Sequence, residues 1–170
     1  MIFRKMMCGK SGSKAEDGAV AVERMLHMIR RVFGASVQGA SHIRSGRECQ
    51  DSFKKLIKDE DTVILAVADG HGSDACPYSK TGSYVAVNVF CKILGDYLDT
   101  YAAQPEMLFT FLKRESDIKI AREIDTQWKH RILKLHTRCK REVPLDGSGN
   151  KDKEAIYRMY GSTLLGLVLT

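Results

Sequence analysis

Apolar residues along the chain change their spacing several times, and each change predicts an element. Between residues 20 and 33, Val22, Leu26, Ile29 and Phe33 recur at three- and four-residue steps, which predicts an amphipathic helix with Arg24, Arg30 and Arg31 on its polar flanks. Residues 34–41 are small and β-compatible, and with residues 52–57 they predict two short strands separated by a polar loop. Lys58, Asp59, Glu60 and Asp61 then supply a turn before residues 63–68, a continuous apolar run of strand length. That pattern predicts a hairpin whose second strand is buried on both faces. Further on, Val85, Val89, Ile93 and Tyr97 form one row at four-residue spacing, and Ala86, Phe90, Leu94 and Leu98 form the next. Two adjacent rows predict a well-buried helix. Pro105 precedes a longer helical stretch over residues 106–143, where Ile120, Ile124, Trp128, Ile132 and Leu135 make a single apolar stripe among charges, as on a surface helix. Residues 161–170 have the composition of a buried strand.

Composition adjusts this picture in only a few places. With 170 residues, 44% hydrophobic and 28% charged, the chain is of the globular class and has room for one domain. Residues 1–33 read as a basic lead-in plus the amphipathic helix, and residues 34–170 as the domain. No uncharged apolar run reaches the length of a membrane-spanning helix. The first residues lack the apolar core of a secretory signal, and Ile2 stands where N-myristoylation needs glycine, so a cytoplasmic protein is expected. Cys8, Cys49, Cys76, Cys91 and Cys139 are odd in number and irregularly spaced, which favours reduced thiols and argues against zinc. Of the net charge of +6, +4 lies in residues 1–33, from seven Lys/Arg against Glu16, Asp17 and Glu23. The rest is nearly neutral and has no cations interleaved with aromatics, so no nucleic-acid partner is expected. The helix over residues 20–33 could lie on an anionic membrane surface or dock on a partner, but packing on its own domain, or a place ahead of the true start of translation at Met25 or Met28, is the preferred reading.

The chemistry concentrates where the second hairpin strand ends. Asp69 follows the buried run directly, and a carboxylate held rigidly there is costly to leave without a counter-charge. Gly70 and Gly72 let the backbone come close to an ion, so a peptide carbonyl can add an oxygen ligand, and Asp51 supplies a second carboxylate from the preceding loop. Oxygen donors favour magnesium or manganese over zinc or copper. On spacing alone, a simple tight turn at Asp69 explains the pattern as well. His71 is a candidate proton donor near neutral pH, or a solvated loop residue. His42, Arg44 and Arg47 make a basic patch before Asp51, suited to gripping phosphate because guanidinium matches its oxygens bidentately, or merely a solvated loop. His27, His130 and His136 read as surface residues. Asp146, Ser148 and Asn150 have the opening spacing of a calcium loop, but Lys151 and Tyr157 occupy the required glycine and glutamate positions.

The combination decides among these readings. Gly39-Ala-Ser-His-Ile-Arg44, Arg47-Glu-Cys-Gln-Asp51-Ser, Val67-Ala-Asp-Gly-His-Gly72 and Gly161-Ser-Thr163, in this order around a helical pair, resemble the N-terminal half of the protein phosphatase 2C (PPM) family over residues 34–170. The resemblance implies an α+β fold, a β-sandwich of two antiparallel sheets flanked by antiparallel helix pairs, of which this chain carries an incomplete, N-terminal half. It implies a protein serine/threonine phosphatase with two Mn²⁺ or Mg²⁺ ions, acting on a phosphoprotein substrate through a metal-activated water. Asp69 would bridge both ions, the Gly70 carbonyl would bind one, and Asp51 would hold the other mainly through its water shell. His71 would be the general acid. The family's phosphate-binding arginine falls at Gly46 here, with Arg44 and Arg47 on either side. Gln50 replaces a frequent carboxylate. Further metal-binding aspartates come from the family's C-terminal half, so the chain is expected to be truncated and inactive alone, its missing half supplied in cis or by a partner chain. The alternative is a non-catalytic phosphatase-like module that binds phosphorylated partners or the parent enzyme.

Overall fold

A computed structural model describes residues 32–170. The helix expected over residues 20–33 therefore falls almost wholly outside the described residues. The elements are α1 (Ala40–Ser45), β1 (Ser52–Ile57), β2 (Val63–Ala68), α2 (Ser79–Thr100), α3 (Pro105–Glu115), a π-helical turn (Ser116–Ile120), α4 (Ala121–Arg138), α5 (Lys153–Arg158) and β3 (Leu165–Leu169). The fold is mixed α and β, with one antiparallel sheet in the order β1-β2-β3.

β1 and β2 form the expected hairpin, with Ser52 opposite Ala68 and Ile57 opposite Val63. Asp59 explains its tight turn, because its carboxylate accepts from the backbone N–H of Asp61 at 2.9 Å and of Thr62 at 2.6 Å. The expected strand over residues 34–41 is absent. Residues 33–39 run without ladder partners, and at Gly39 the chain turns into α1, which ends at Gly46 in the left-handed conformation.

α2 lies on one face of the sheet, and both of its apolar rows are used. Val85, Ala86, Val89, Phe90, Ile93 and Leu94 are buried, against Ile64, Ala66 and Ala68 of β2 and Val168 of β3. Phe90 sits directly over Gly166, where any β-carbon would lie 2.0 Å from the ring. The other face bears out the expectation of two-sided burial only in part. Ile57, Val67 and Leu165 point there and are 59%, 47% and 68% exposed, but Val63 on the same face is buried and Leu65 is half-buried, so the second face of β2 is covered only in part, and β3 has Val168 as its one buried residue.

The long stretch after Pro105 also departs from a single helix. The π-helical turn separates α3 from α4, and α4 stops before Cys139. Each part follows its own stripe: Leu108 and Leu112 on α3, then Ile120, Ile124 and Ile132 leading into and along α4. α4 packs on α2, with the Tyr97 hydroxyl donating to Glu123 at 2.9 Å and Trp128 Nε1 donating to the Gly82 carbonyl at 3.0 Å. Tyr97 meets the start of α4 and Val85 lies beside Leu135 near its end, so the two helices run antiparallel. No helix among the described residues is long and apolar enough to cross a membrane.

Candidate active site

The hairpin register builds the site. Because Ser52 pairs with Ala68, the residues just beyond that pair, Asp51 and Asp69, come out side by side at the same end of the sheet. Asp51 is held above the usual carboxylate range first by partial burial, then by hydrogen bonding toward the Asp69 side chain and by the Asp69 charge, against the lowering pull of His42. A cation between the two carboxylates would offset their repulsion.

Past β2 the chain is fastened from the opposite side by the Gly161-Ser-Thr163 segment. Gly70 and Ser162 form an isolated antiparallel bridge. The bonds that make it run from Thr163 N to the Asp69 carbonyl at 2.8 Å and from His71 N to the Gly161 carbonyl at 3.1 Å. The Asp69 N–H in turn reaches Thr163 Oγ1 at 3.3 Å. This pattern spends the carbonyls of Asp69 and Gly161 and leaves that of Gly70 out of the ladder. Glycine is required at position 70, because a β-carbon would lie 2.9 Å from both the carbonyl oxygen and the Cβ of Gln50. Gln50 is itself held down by Ser83, whose hydroxyl donates to its carbonyl at 2.5 Å and meets Ser52 Oγ at 2.9 Å.

The His71 side chain is exposed and lies over Gly161, where a β-carbon would come within 2.5 Å of the imidazole Cδ2. Among the described residues its ring nitrogens make no hydrogen bond, so both are open to solvent or a ligand. The two arginines part company. Arg47 Nη1 donates to the Gly72 carbonyl at 3.2 Å and Nη2 lies 3.8 Å from Asp74, which ties Arg47 to the glycine loop. Arg44 projects from α1, exposed and without an ion pair among the described residues.

Asp51 and Asp69 line a cleft of about 400 Å³ together with Ser36, Phe53, Thr163 and Leu165. It opens beside Val67 on the partly covered face of the sheet. Ser36 fixes one wall, its hydroxyl donating to the Asp51 carbonyl at 3.0 Å and lying 3.2 Å from Cys49 Sγ. The donor set is two carboxylates plus one carbonyl outside the ladder. Such oxygen-only donors fit a hard divalent cation such as Mg²⁺ or Mn²⁺. Among the described residues no cluster of three His, Cys, Asp or Glu side chains accompanies them.

Sequence reasoning missed a buried polar cluster behind the site. His136, read as a surface residue, is fully buried; its Nε2 faces the Glu142 carbonyl at 2.9 Å and its Nδ1 the Tyr160 hydroxyl at 3.0 Å. Arg141 Nη1 donates to the same hydroxyl at 2.6 Å and its guanidinium stacks on Tyr78 at 3.6 Å from the ring centroid. An Nε2–H tautomer satisfies every member: His136 donates to Glu142, Tyr160 donates to His136 Nδ1, and Arg141 donates to Tyr160. Tyr160 immediately precedes Gly161, and Tyr78 N donates to the Met159 carbonyl at 2.9 Å, so the cluster anchors the segment that fastens Asp69 and His71. The signal was the four-residue step of 120, 124, 128 and 132, which arrives next at 136.

A paired-carboxylate strand end closed by a glycine loop and a Gly-Ser-Thr segment defines a class, and comparison with protein families agrees with it. The model of the family described as protein phosphatase 2C matches residues 38–170. The chain belongs to the protein phosphatase 2C family. No curated protein and no solved structure matches it significantly.

Proposed function

We propose that this chain carries the metal-binding and proton-donating part of a cytoplasmic, metal-dependent protein serine/threonine phosphatase. The observation that carries the reading is the Asp51–Asp69 carboxyl pair beside a Gly70 carbonyl left out of the ladder. Asp51, Asp69 and the Gly70 carbonyl would hold Mn²⁺ or Mg²⁺. When bound, such an ion supplies a water acidic enough to attack phosphorus at neutral pH. The chain's own residues do the rest. Asp51 and Asp69 present their carboxylate oxygens to the cleft. His71, unengaged and exposed, holds a proton for the departing seryl or threonyl oxygen of a phosphoprotein. Arg44 is free to meet the phosphate, while Arg47 keeps the glycine loop in place through Gly72.

Two carboxylates leave a divalent ion short of protein ligands, so further acidic groups would complete the site. The exposed patch of Ile57, Val67 and Leu165 on the partly covered face fits a second sheet, in cis or from a partner chain, and covering it would make the sandwich of the family. The test is Mn²⁺-dependent hydrolysis of a phosphothreonine peptide. Asp69→Asn should abolish it, and near-unchanged turnover would sink the assignment. Among the described residues the outer edge of β3 is unpaired, which also suits a second reading, a non-catalytic module that pairs with another chain's sheet. That reading expects a stable complex and no hydrolysis from any completed form.

A further inference from the structure

A second feature lies on the helical layer, away from the carboxylate cleft. Arg131, Lys134 and Arg138 recur at three- and four-residue steps along α4 and share one side of a groove of about 370 Å³ against Tyr84 and Asn88 of α2. Several other helix lysines are neutralised locally: Lys92 pairs with Asp96, Lys119 with Glu115 and, one turn earlier on α4, Lys129 with Asp125. Among the described residues these three cations have no such partner. Residues 129–141 contain six Lys/Arg and no Asp or Glu, so no nearby acid on the same segment competes for them. Asn88 is already committed, donating to the Tyr84 carbonyl at 2.7 Å and accepting from Lys54, whereas the Tyr84 ring is 63% exposed at the rim. The groove thus offers three unneutralised cations beside an exposed aromatic ring.

We propose that the α2/α4 groove binds an acidic peptide segment of a protein partner, independently of the carboxylate cleft. From Arg131 to Arg138 the helix rises about 10 Å, the reach of roughly three extended peptide residues. Alternate acidic side chains of such a segment would meet the cations, and Tyr84 would cover its backbone or an apolar neighbour. A nucleic acid fits less well, since it is gripped through a longer cationic track with stacking platforms, and a single aromatic ring stands here.

The test is fluorescence polarisation of a labelled oligoglutamate peptide titrated with the full chain. Binding that weakens with salt is expected, and Lys134→Glu with Arg138→Glu should weaken it by about tenfold or more. Lys113→Glu with Arg114→Glu, on exposed positions of α3, should leave it unchanged. Circular dichroism checks folding, and Lys134→Gln with Arg138→Gln replaces the reversal pair if that pair fails to fold. No measurable binding, or equal loss in the α3 control, overturns the proposal. So does a single-stranded oligonucleotide that binds more tightly and loses affinity with the same groove variants. The peptide carries no phosphate and the readout is binding, so this outcome stands apart from whether the cleft hydrolyses anything.

Discussion

The two faces of the three-stranded sheet are built from equally apolar strands, one closed by a helix and the other closed only in part. On one, Ile64, Ala66 and Val168 close against Phe90 and its neighbours on α2, with Gly166 thinned so that the ring can sit on the backbone. On the other, Val67 and Leu165 stay open, and the carboxylate cleft runs out onto that side between Phe53 and Leu165. Stability is therefore concentrated on the helix side and the candidate chemistry on the open side. A conformationally secure strand can hold two like charges at its end because the packing that fixes it lies elsewhere.

That contrast can be broken by substitution. The largest effect is expected at Asp69→Asn, which should reduce the proposed metal-dependent hydrolysis to background while thermal unfolding shows no loss of stability. A large drop in Tm would show instead that Asp69 is structural. On the helix side, Phe90→Ala should cost about 3–5 kcal/mol. On the open side, Leu165→Ser should change the stability of this chain by only about 0.5 kcal/mol. Urea titrations of the two variants compare the faces directly, and equal losses would mean that something covers the open face.

A smaller effect is expected behind the site. Tyr160→Phe removes the hydroxyl between His136 and Arg141 and leaves buried groups without partners, at a cost of about 1–3 kcal/mol measured in urea. The smallest is a pH effect. Asp51 is raised in the folded chain, so without metal it binds its proton more tightly there than when unfolded. Its contribution thus favours folding as pH falls through that raised value and is lost as pH rises above it. Asp51→Asn should flatten that part of a Tm-against-pH profile in chelator; an unchanged profile would remove the carboxyl pair as its cause.

Much of this was legible in the sequence because it is written in local periodicity. The hairpin, its Asp59 turn and the two rows of α2 follow from spacing alone. Strand burial was less legible: a continuous apolar run at 63–68 cannot say whether its second face is covered by this chain or by something else. The strand expected over residues 34–41 failed because small β-compatible residues without a ladder partner have no reason to extend, and Gly39 instead opens α1. The long helix was interrupted by a π-helical turn that no proline or glycine announces. Asp51 and Asp69 were found as types, but only the Ser52–Ala68 register makes them neighbours. His136 was set aside because a histidine among charges reads as solvated, although its place on the apolar stripe pointed inward. The cations of α4 were hidden by counting charge over the whole body, where acids elsewhere cancel them.

The most direct test of the central claim is Mn²⁺ binding by this chain, followed by the loss of the free-ion electron paramagnetic resonance signal on titration. The account predicts saturable binding by the native sequence and its loss in both Asp51→Asn and Asp69→Asn, with circular dichroism unchanged. Binding that survives both substitutions, or none by the native sequence, would contradict the carboxyl pair as a metal site.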